Sequence, residues 1–260
     1  MRRLEPIDAR QRHVLGARYG CTLATLRGVD RGVGRIYHAL EKQGELENTV
    51  FIFWSDNGYF NGEHRIVNKK QLQYEEGVRV PLAIRVGSDV ESDGKSRKRV
   101  GRPVANIDIA PTILDYAGGD TCRGKRCRAM DGLSMRGLIR GKSSPIRKNR
   151  PLVIEFDNQP RSKSTCAYEG VRTPSSAWIV QTSIPDRDTA KCHPAHEVEL
   201  YDLKKDPYQL RNRAPAKPGS PEHATQQRMR RLLSRLADCS GIKGRDRKPN
   251  GGRHFCGSER

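Results

Sequence analysis

The residues best suited to chemistry stand where an apolar run stops. Residues 50–64 read VFIFWSDNGYFNGEH. Five of the first six side chains are apolar or aromatic, and the polarity then reverses at Asp56, Asn57 and Gly58. A carboxylate and an amide carbonyl are hard oxygen ligands, the kind taken by Ca²⁺ or Mg²⁺. Gly58 lets the backbone turn sharply beside them. Asp-Asn-Gly is also a common turn sequence, so its surroundings must decide.

Ligands of open α/β sheets bind beyond the carboxyl ends of strands, and an apolar run at 49–55 ending in Asp56 has that form. Its composition fits a strand buried on both faces. Leu23, Leu26, Val29, Val33, Ile36, Tyr37 and Leu40 recur every three or four residues, which predicts an amphipathic helix over 20–43 with this face inward. Gly44 ends it in the position of a left-handed cap. Residues 78–86 predict a second strand, with Pro81 at an irregular or edge position. NIDIAPTILDYA at 106–117 predicts a helix opened or broken by Pro111. Helix, strand, loop, strand, helix is an α/β order.

Beyond residue 140 the texture changes. GKSSPIRKNR at 141–150 reads as a linker. Strand-like runs follow at 151–156, 167–172, 176–182 and 198–202, with no helix between them, which predicts an antiparallel sheet. A helix over 221–238 offers Met229, Leu232, Leu233 and Leu236 as its core face. A basic tail fills 239–260. The organisation expected is thus 1–140, a linker at 141–150, an α+β subdomain at 151–238, and the tail.

The 260 residues carry 49 Lys plus Arg against 30 Asp plus Glu, a formal charge of +19. Such a charge attracts polyanions. The denser runs are KSRKRVGR at 95–102, CRGKRCR at 122–128 and RKNR at 147–150. Aromatic residues are 6 % of the chain, too sparse for the stacking platforms of single-strand binders. Nucleic acid is therefore not the expected partner. No run reaches the length of about 18 apolar residues needed to span a membrane. The N-terminal MRRLEPIDARQRH lacks the apolar segment of a signal peptide, which on its own reads as cytoplasmic. Seven cysteines point the other way. None forms a CxxC pair. Cys122 with Cys127 closes a small loop, Cys239 with Cys256 staples the tail, Cys166 and Cys192 flank a strand-like region, and Cys21 is left over on a buried helix face.

A long ordered series of segments resembles the sulfatase family, of the alkaline-phosphatase-like superfamily, in its N-acetylglucosamine-6-sulfatase-like members. These are VDRGVGRI at 29–36, GELENTVFIFWSDNGYFNGEH at 44–64, KKQLQYEEGVRVPLAIR at 69–85, NIDIAPTILDYAG at 106–118, DGLSMRGLIRG at 131–141 and ELYDLKKDPYQLRN at 199–212. The resemblance implies a partial alkaline-phosphatase-like sandwich, a mainly parallel sheet with helices, followed by the small antiparallel subdomain. It implies sulfate ester hydrolysis on a sulfated saccharide or other sulfate ester. Asp56 and Asn57 match the family's second pair of metal ligands, for Ca²⁺ or Mg²⁺. Lys70, in the K-x-x-x-Y-E pattern, matches the lysine on the substrate sulfate, with Lys69 as the alternative register. His64 lies in the family's G-E-H stretch, near the site or structural. Glu75, Glu76 and Arg79 match positions that support the lysine loop.

The departures are equally specific. The family converts a cysteine in C-x-P-S-R or C-x-A-S-R to formylglycine, and no cysteine here has that context. The paired aspartates of the family's first strand and its upstream histidine segment are absent too. All belong to the family's N-terminal half. The resemblance therefore implies a fragment, inactive alone, whose full-length relatives are extracytoplasmic and whose partner is that missing half. The competing reading is a noncatalytic basic protein that binds polyanions or nucleic acid on a degenerate scaffold.

Overall fold

The computed structural model describes residues 5–90, 99–119, 122–123, 126–127, 130–156, 165–185 and 191–237. The tail at 239–260, with Cys239 and Cys256, lies outside them. The chain divides into two compact units, 1–94 and 95–260.

The first unit opens with α1, Ala9–Lys42. Asp8 caps it: the side chain accepts from the Gln11 N–H at 2.7 Å, and the Asp8 N–H donates to Gln11 Oε1 at 3.0 Å. It stops at Gln43, before Gly44 at φ +73°, as expected of a left-handed cap. The face read as inward is largely exposed. Leu23, Leu26, Val29 and Ile36 are open to solvent, and no residue of α1 is fully buried. Cys21, expected inside, is an exposed free thiol. Periodicity reported an apolar stripe correctly. It could not report what, if anything, covers it.

Strand β1 is Val50–Trp54, and its neighbour is β4, Leu82–Val86, antiparallel with Val50 opposite Val86 and Trp54 opposite Leu82. Two expectations are corrected here. β1 is not buried on both faces, since Phe53 and Trp54 are exposed. Residues 75–78 form the short helix α2, Glu75–Val78, so the second strand starts four residues later than its composition suggests, after Pro81. Between them lies a hairpin of β2, Phe60–Asn61, and β3, Val67–Lys69. The far end of the β1–β4 pair is tied by Glu47. It receives the N–H and hydroxyl of Ser88, each at 2.8 Å, and pairs with Arg85. The Ser88 N–H, then its hydroxyl and the Arg85 guanidinium, hold the Glu47 carboxyl below its ordinary range.

The second unit is knit by an ion pair that the sequence did not reveal. A 3₁₀ turn at Asn106–Asp108 leads into α3, Ile109–Tyr116, with Pro111 in its first turn. Asp108 is fully buried and takes Arg150 bidentately, at 2.6 and 3.1 Å. The same carboxylate accepts the N–H of Ala105 at 2.8 Å and of Leu133 at 2.7 Å. Segment 141–150 is therefore packed rather than a free linker: Ile146 and Arg150 are buried at its end. A two-residue pair, β5 Cys122–Arg123 and β6 Arg126–Cys127, sets Cys122 opposite Cys127. The helical turn α4, Arg136–Ile139, follows.

The expected antiparallel sheet is present. β7 Leu152–Phe156, β8 Tyr168–Arg172, β9 Ser176–Pro185 and β10 Cys192–Asp202 run in the order β10-β9-β8-β7. Helix α5, Pro221–Ala237, lays Met229, Leu233 and Leu236 on Val171, Trp178, Val180 and Leu200, with Leu232 at the margin. Cys166 and Cys192 form a disulfide between the sheet's outer reaches. Burial pushes the Tyr168 phenol up to about 12. The LYDLKKDPYQLRN segment is a structural clasp. Asp206 accepts the N–H groups of Leu210 and Arg211, while Asn212 bridges Leu200 and Val198 of β10. Every strand pairing among the described residues is antiparallel. The parallel pairs of the expected sheet are not among them.

Candidate active site

Asp56, Asn57 and Gly58 form a tight turn directly after β1. The Asn57 N–H donates to Asp56 Oδ1 at 2.8 Å, and the Ser55 hydroxyl donates to the Asn57 carbonyl at 2.9 Å. Asn57 Nδ2 donates to the Gly58 carbonyl at 2.9 Å, which leaves Oδ1 as the amide's acceptor. Gly58 is required here. Its N–H donates to the Gly77 carbonyl at 2.9 Å, and a Cβ would fall 1.8 Å from the Glu76 carbonyl oxygen. The turn is thus clamped onto α2, and any side chain at 58 would force the two apart.

The β2–β3 hairpin sets the rest. Lys69 lies opposite Phe60, so the chain leaves the hairpin at the end where Asp56–Gly58 enter it. Lys70 follows and is exposed; Lys69 is half-buried. The loop between the strands holds His64 and Arg65 at φ +54° and +62°, and Gln71 after β3 is at +65°. Three of the four non-glycine residues at positive φ in the described chain lie in this stretch. Such conformations cost on the order of 1–3 kcal/mol each and gather at functional sites.

His64 is buried, 2 % exposed in its side chain. Its ring stacks on Tyr74 at 4.2 Å and meets Phe60 edge-on at 6.3 Å. Nε2 is 3.4 Å from Glu76 Oε2, without hydrogen-bond alignment, and neither ring nitrogen is hydrogen-bonded. Glu75 faces Arg79 at 3.9 Å. The structure therefore brings Asn57–Gly58 together with Glu76–Gly77, and His64 together with Tyr74 and Glu76. The stacking of His64 on Tyr74 escaped the sequence reading. The only signal for it was two aromatic rings flanking the lysines.

Asp56 is exposed and Asn57 half-buried. Among the described residues no group of three His, Cys, Asp or Glu side chains is placed to hold a metal. The pair suits a hard cation in kind, since both donors are oxygens. In number it supplies two of the roughly six to eight that Ca²⁺ takes. No helix among the described residues is long and apolar enough to cross a membrane.

Known proteins give this geometry its context. Residues 5–119 match the family profile described as sulfatase. An N-acetylglucosamine-6-O-sulfatase of Bacteroides thetaiotaomicron is 31 % identical over 191 residues, covering 73 % of this chain and 31 % of that protein. The human N-acetylglucosamine-6-sulfatase is 32 % identical over 243 residues, covering 84 % and 40 %. The chain thus spans about a third to two-fifths of the length of these relatives. A solved structure of a protein in complex with its substrate D-glucosamine-2-N,6-O-disulfate superposes with a TM-score of 0.63 at 30 % identity, over 83 % of this chain and 39 % of that one. A phosphonate monoester hydrolase of Agrobacterium radiobacter shares the fold at a TM-score of 0.60 and 23 % identity, over 81 % of this chain and 39 % of that one. The profile, the relatives and the fold agree: the sulfatase-family match spans residues 5–119, and the chain is similar to N-acetylglucosamine-6-sulfatases in sequence and to sulfatases of the alkaline-phosphatase-like fold in structure.

Proposed function

We propose that this chain carries part of the site of a sulfuric ester hydrolase acting on sulfated amino sugars. The observation that carries the reading is the Asp56-Asn57-Gly58 turn. It is clamped to α2 by a contact only glycine permits, and it sits at the end of the hairpin that delivers Lys70. The sugar class is suggested by the relatives named N-acetylglucosamine-6-sulfatase and by the disulfated glucosamine held in the related structure.

In this reading Asp56 and Asn57 hold a divalent cation, Ca²⁺ or Mg²⁺, with water in the remaining positions. Such a cation neutralises charge on sulfate oxygens and polarises the sulfur they surround. Lys70 meets a sulfate oxygen from the open side and offsets the charge that grows in the transition state. Lys69 takes that part in the alternative register. His64 is too buried to touch substrate, so its part is positioning: with Tyr74 and Glu76 it holds the strained loop against α2. Bound this way a sulfate ester is oriented and its charge screened. The family's formylglycine is what turns binding into turnover, and its cysteine is absent from these 260 residues. We therefore read the chain as a fragment that binds without turnover.

Calorimetry with N-acetylglucosamine 6-sulfate, in Ca²⁺, tests this. Cation affinity on the order of millimolar is expected. Asp56→Ala should weaken the cation about tenfold or more. Lys70→Ala should weaken the sulfated sugar by about tenfold, or ~1.4 kcal/mol, and leave unsulfated N-acetylglucosamine unaffected. Sugar affinity indifferent to both substitutions would refute the assignment. Aryl sulfate turnover by the purified chain, lost on chelation and in Asp56→Ala, would overturn the inactivity.

A further inference from the structure

The two most exposed large hydrophobic side chains among the described residues stand two positions apart in the second unit. Tyr208 is 66 % and Leu210 62 % exposed, with Gln209 buried between them. Single apolar residues scattered over a surface are ordinary. These two are held outward by the loop's own hydrogen bonds. Asp202 Oδ1 accepts the N–H groups of Lys204 and Lys205 at 3.1 and 3.2 Å, and the Asp202 carbonyl takes the Asp206 N–H at 2.7 Å. Asp206 in turn accepts the N–H groups of Leu210 and Arg211 at 3.0 and 2.8 Å, and its carbonyl takes that of Gln209 at 3.1 Å. Both ends are anchored: the Leu203 N–H donates to the Ser175 carbonyl and the Arg213 N–H to the Leu200 carbonyl, each at 2.9 Å.

The same bonds sort the charges. The loop's two acids turn toward backbone donors, Asp206 buried and Asp202 half-buried. Lys204, Lys205 and Arg211 are exposed and flank the apolar pair along the chain. Glu222, at the start of α5, is engaged by Arg213 at 3.0 Å. A projecting apolar pair with cations on both sides is complementary to an anionic lipid leaflet. Tyrosine and leucine seat in its interfacial zone, the phenol among the headgroups. Each Lys or Arg near the surface adds attraction to acidic lipid. A leaflet receives such a projection without a preformed pocket. A saccharide has no apolar volume in which to bury a leucine, and a folded protein would have to carry a recess for each side chain.

We propose that the loop 204–211 is a contact site for anionic lipid, with Tyr208 and Leu210 entering the headgroup zone and Lys204, Lys205 and Arg211 at the level of the phosphates. The association is peripheral and reversible. It lies wholly within the second unit and does not rest on the hydrolase reading.

The experiment is cosedimentation of the full chain with vesicles of phosphatidylcholine and phosphatidylserine at physiological ionic strength. Tyr208→Ser/Leu210→Ser leaves the charge unchanged and should weaken binding about tenfold or more. Lys204→Gln/Lys205→Gln should weaken it about tenfold. The control Arg228→Gln/Arg231→Gln, exposed on α5, removes the same charge and should stay within about twofold. Unchanged binding in Tyr208→Ser/Leu210→Ser, or equal loss in the α5 control and Lys204→Gln/Lys205→Gln, would reduce the contact to bulk charge and overturn the proposal. So would loss of affinity for a heparin-derived hexasaccharide in Tyr208→Ser/Leu210→Ser with vesicle binding intact, which would make the loop a saccharide contact. If that double variant fails to fold, Tyr208→Trp decides. Its added fluorescence should be quenched by acyl chains brominated near the headgroup, and an added signal that vesicles leave unquenched would overturn the proposal.

Discussion

The four-stranded sheet with α5 and the unit that bears Asp56 were built on opposite plans. In the sheet every strand pairs with a sequence neighbour, and α5 seals one face with Met229, Leu233 and Leu236. In the first unit a helix of 34 residues has no fully buried side chain, and β1 ends in exposed Phe53 and Trp54. Five glycines, at 16, 20, 28, 32 and 34, lower the helix's own stability further, by roughly 0.8–1 kcal/mol each relative to alanine. The local sheet is stable and chemically quiet. The part that carries the candidate chemistry holds strained φ angles and little core. Strained, functional backbone persists where surroundings over-determine it, and here the surroundings are α2 and one glycine contact.

The two tryptophans make this contrast measurable. Trp54 stands exposed in the first unit and Trp178 is buried in the second, so each reports its own unfolding once the other is replaced by phenylalanine. The largest effect is expected at Arg150. Arg150→Ala leaves the Asp108 carboxylate buried with only backbone donors, at a cost of about 3–5 kcal/mol. The Trp178 transition should shift by that amount in denaturant. A change below about 1 kcal/mol would mean the pair is not what holds 105–150 together.

Reduction of Cys166–Cys192 should come next. A closed loop of 26 residues is worth about 3.5 kcal/mol by the chain-entropy relation. The shift belongs to Trp178 and not to Trp54. An equal shift at both would erase the distinction between the units.

A pair of leucines sharpens the contrast directly. Leu233→Ala opens a packed core and should cost about 3 kcal/mol. Leu26→Ala, on the open face of α1, should stay within about 0.5 kcal/mol. If Leu26→Ala matches Leu233→Ala in solution, something covers α1 there, and sedimentation would show whether that is a second copy.

The smallest effect is a pH dependence. The Ser134 hydroxyl, and after it Arg136, holds the Asp115 carboxyl below its ordinary value of 3.8. Its stabilising contribution is whole above 3.8 and is lost as the pH falls below that value toward the lowered one. Ser134→Ala should flatten this limb of the Trp178 stability curve, and an unchanged limb would place the loss on other carboxylates.

Legibility followed the range of the interactions. The strands at 152–156, 168–172 and 176–185 and the core face of α5 were readable because their partners are close in sequence and their patterns are periodic. The start of the second strand was not, since Val78 to Pro81 continue the apolar run into 82–86, yet Val78 closes the short helix α2, whose Gly77 carbonyl accepts the Gly58 N–H. The segment 141–150 looked like a linker because its anchor, Asp108, lies 42 residues away from Arg150.

By itself the sequence determined the family segments, the antiparallel sheet with its helix, and the Asp56-Asn57 pair at a strand end. These depend on residue type, short spacing and local period. Only the tertiary structure decided that His64 is buried on Tyr74 and that Gly58 is obligatory against Glu76. Each of those depends on close approach between segments separated along the chain, where excluded volume acts and no one-dimensional period records it.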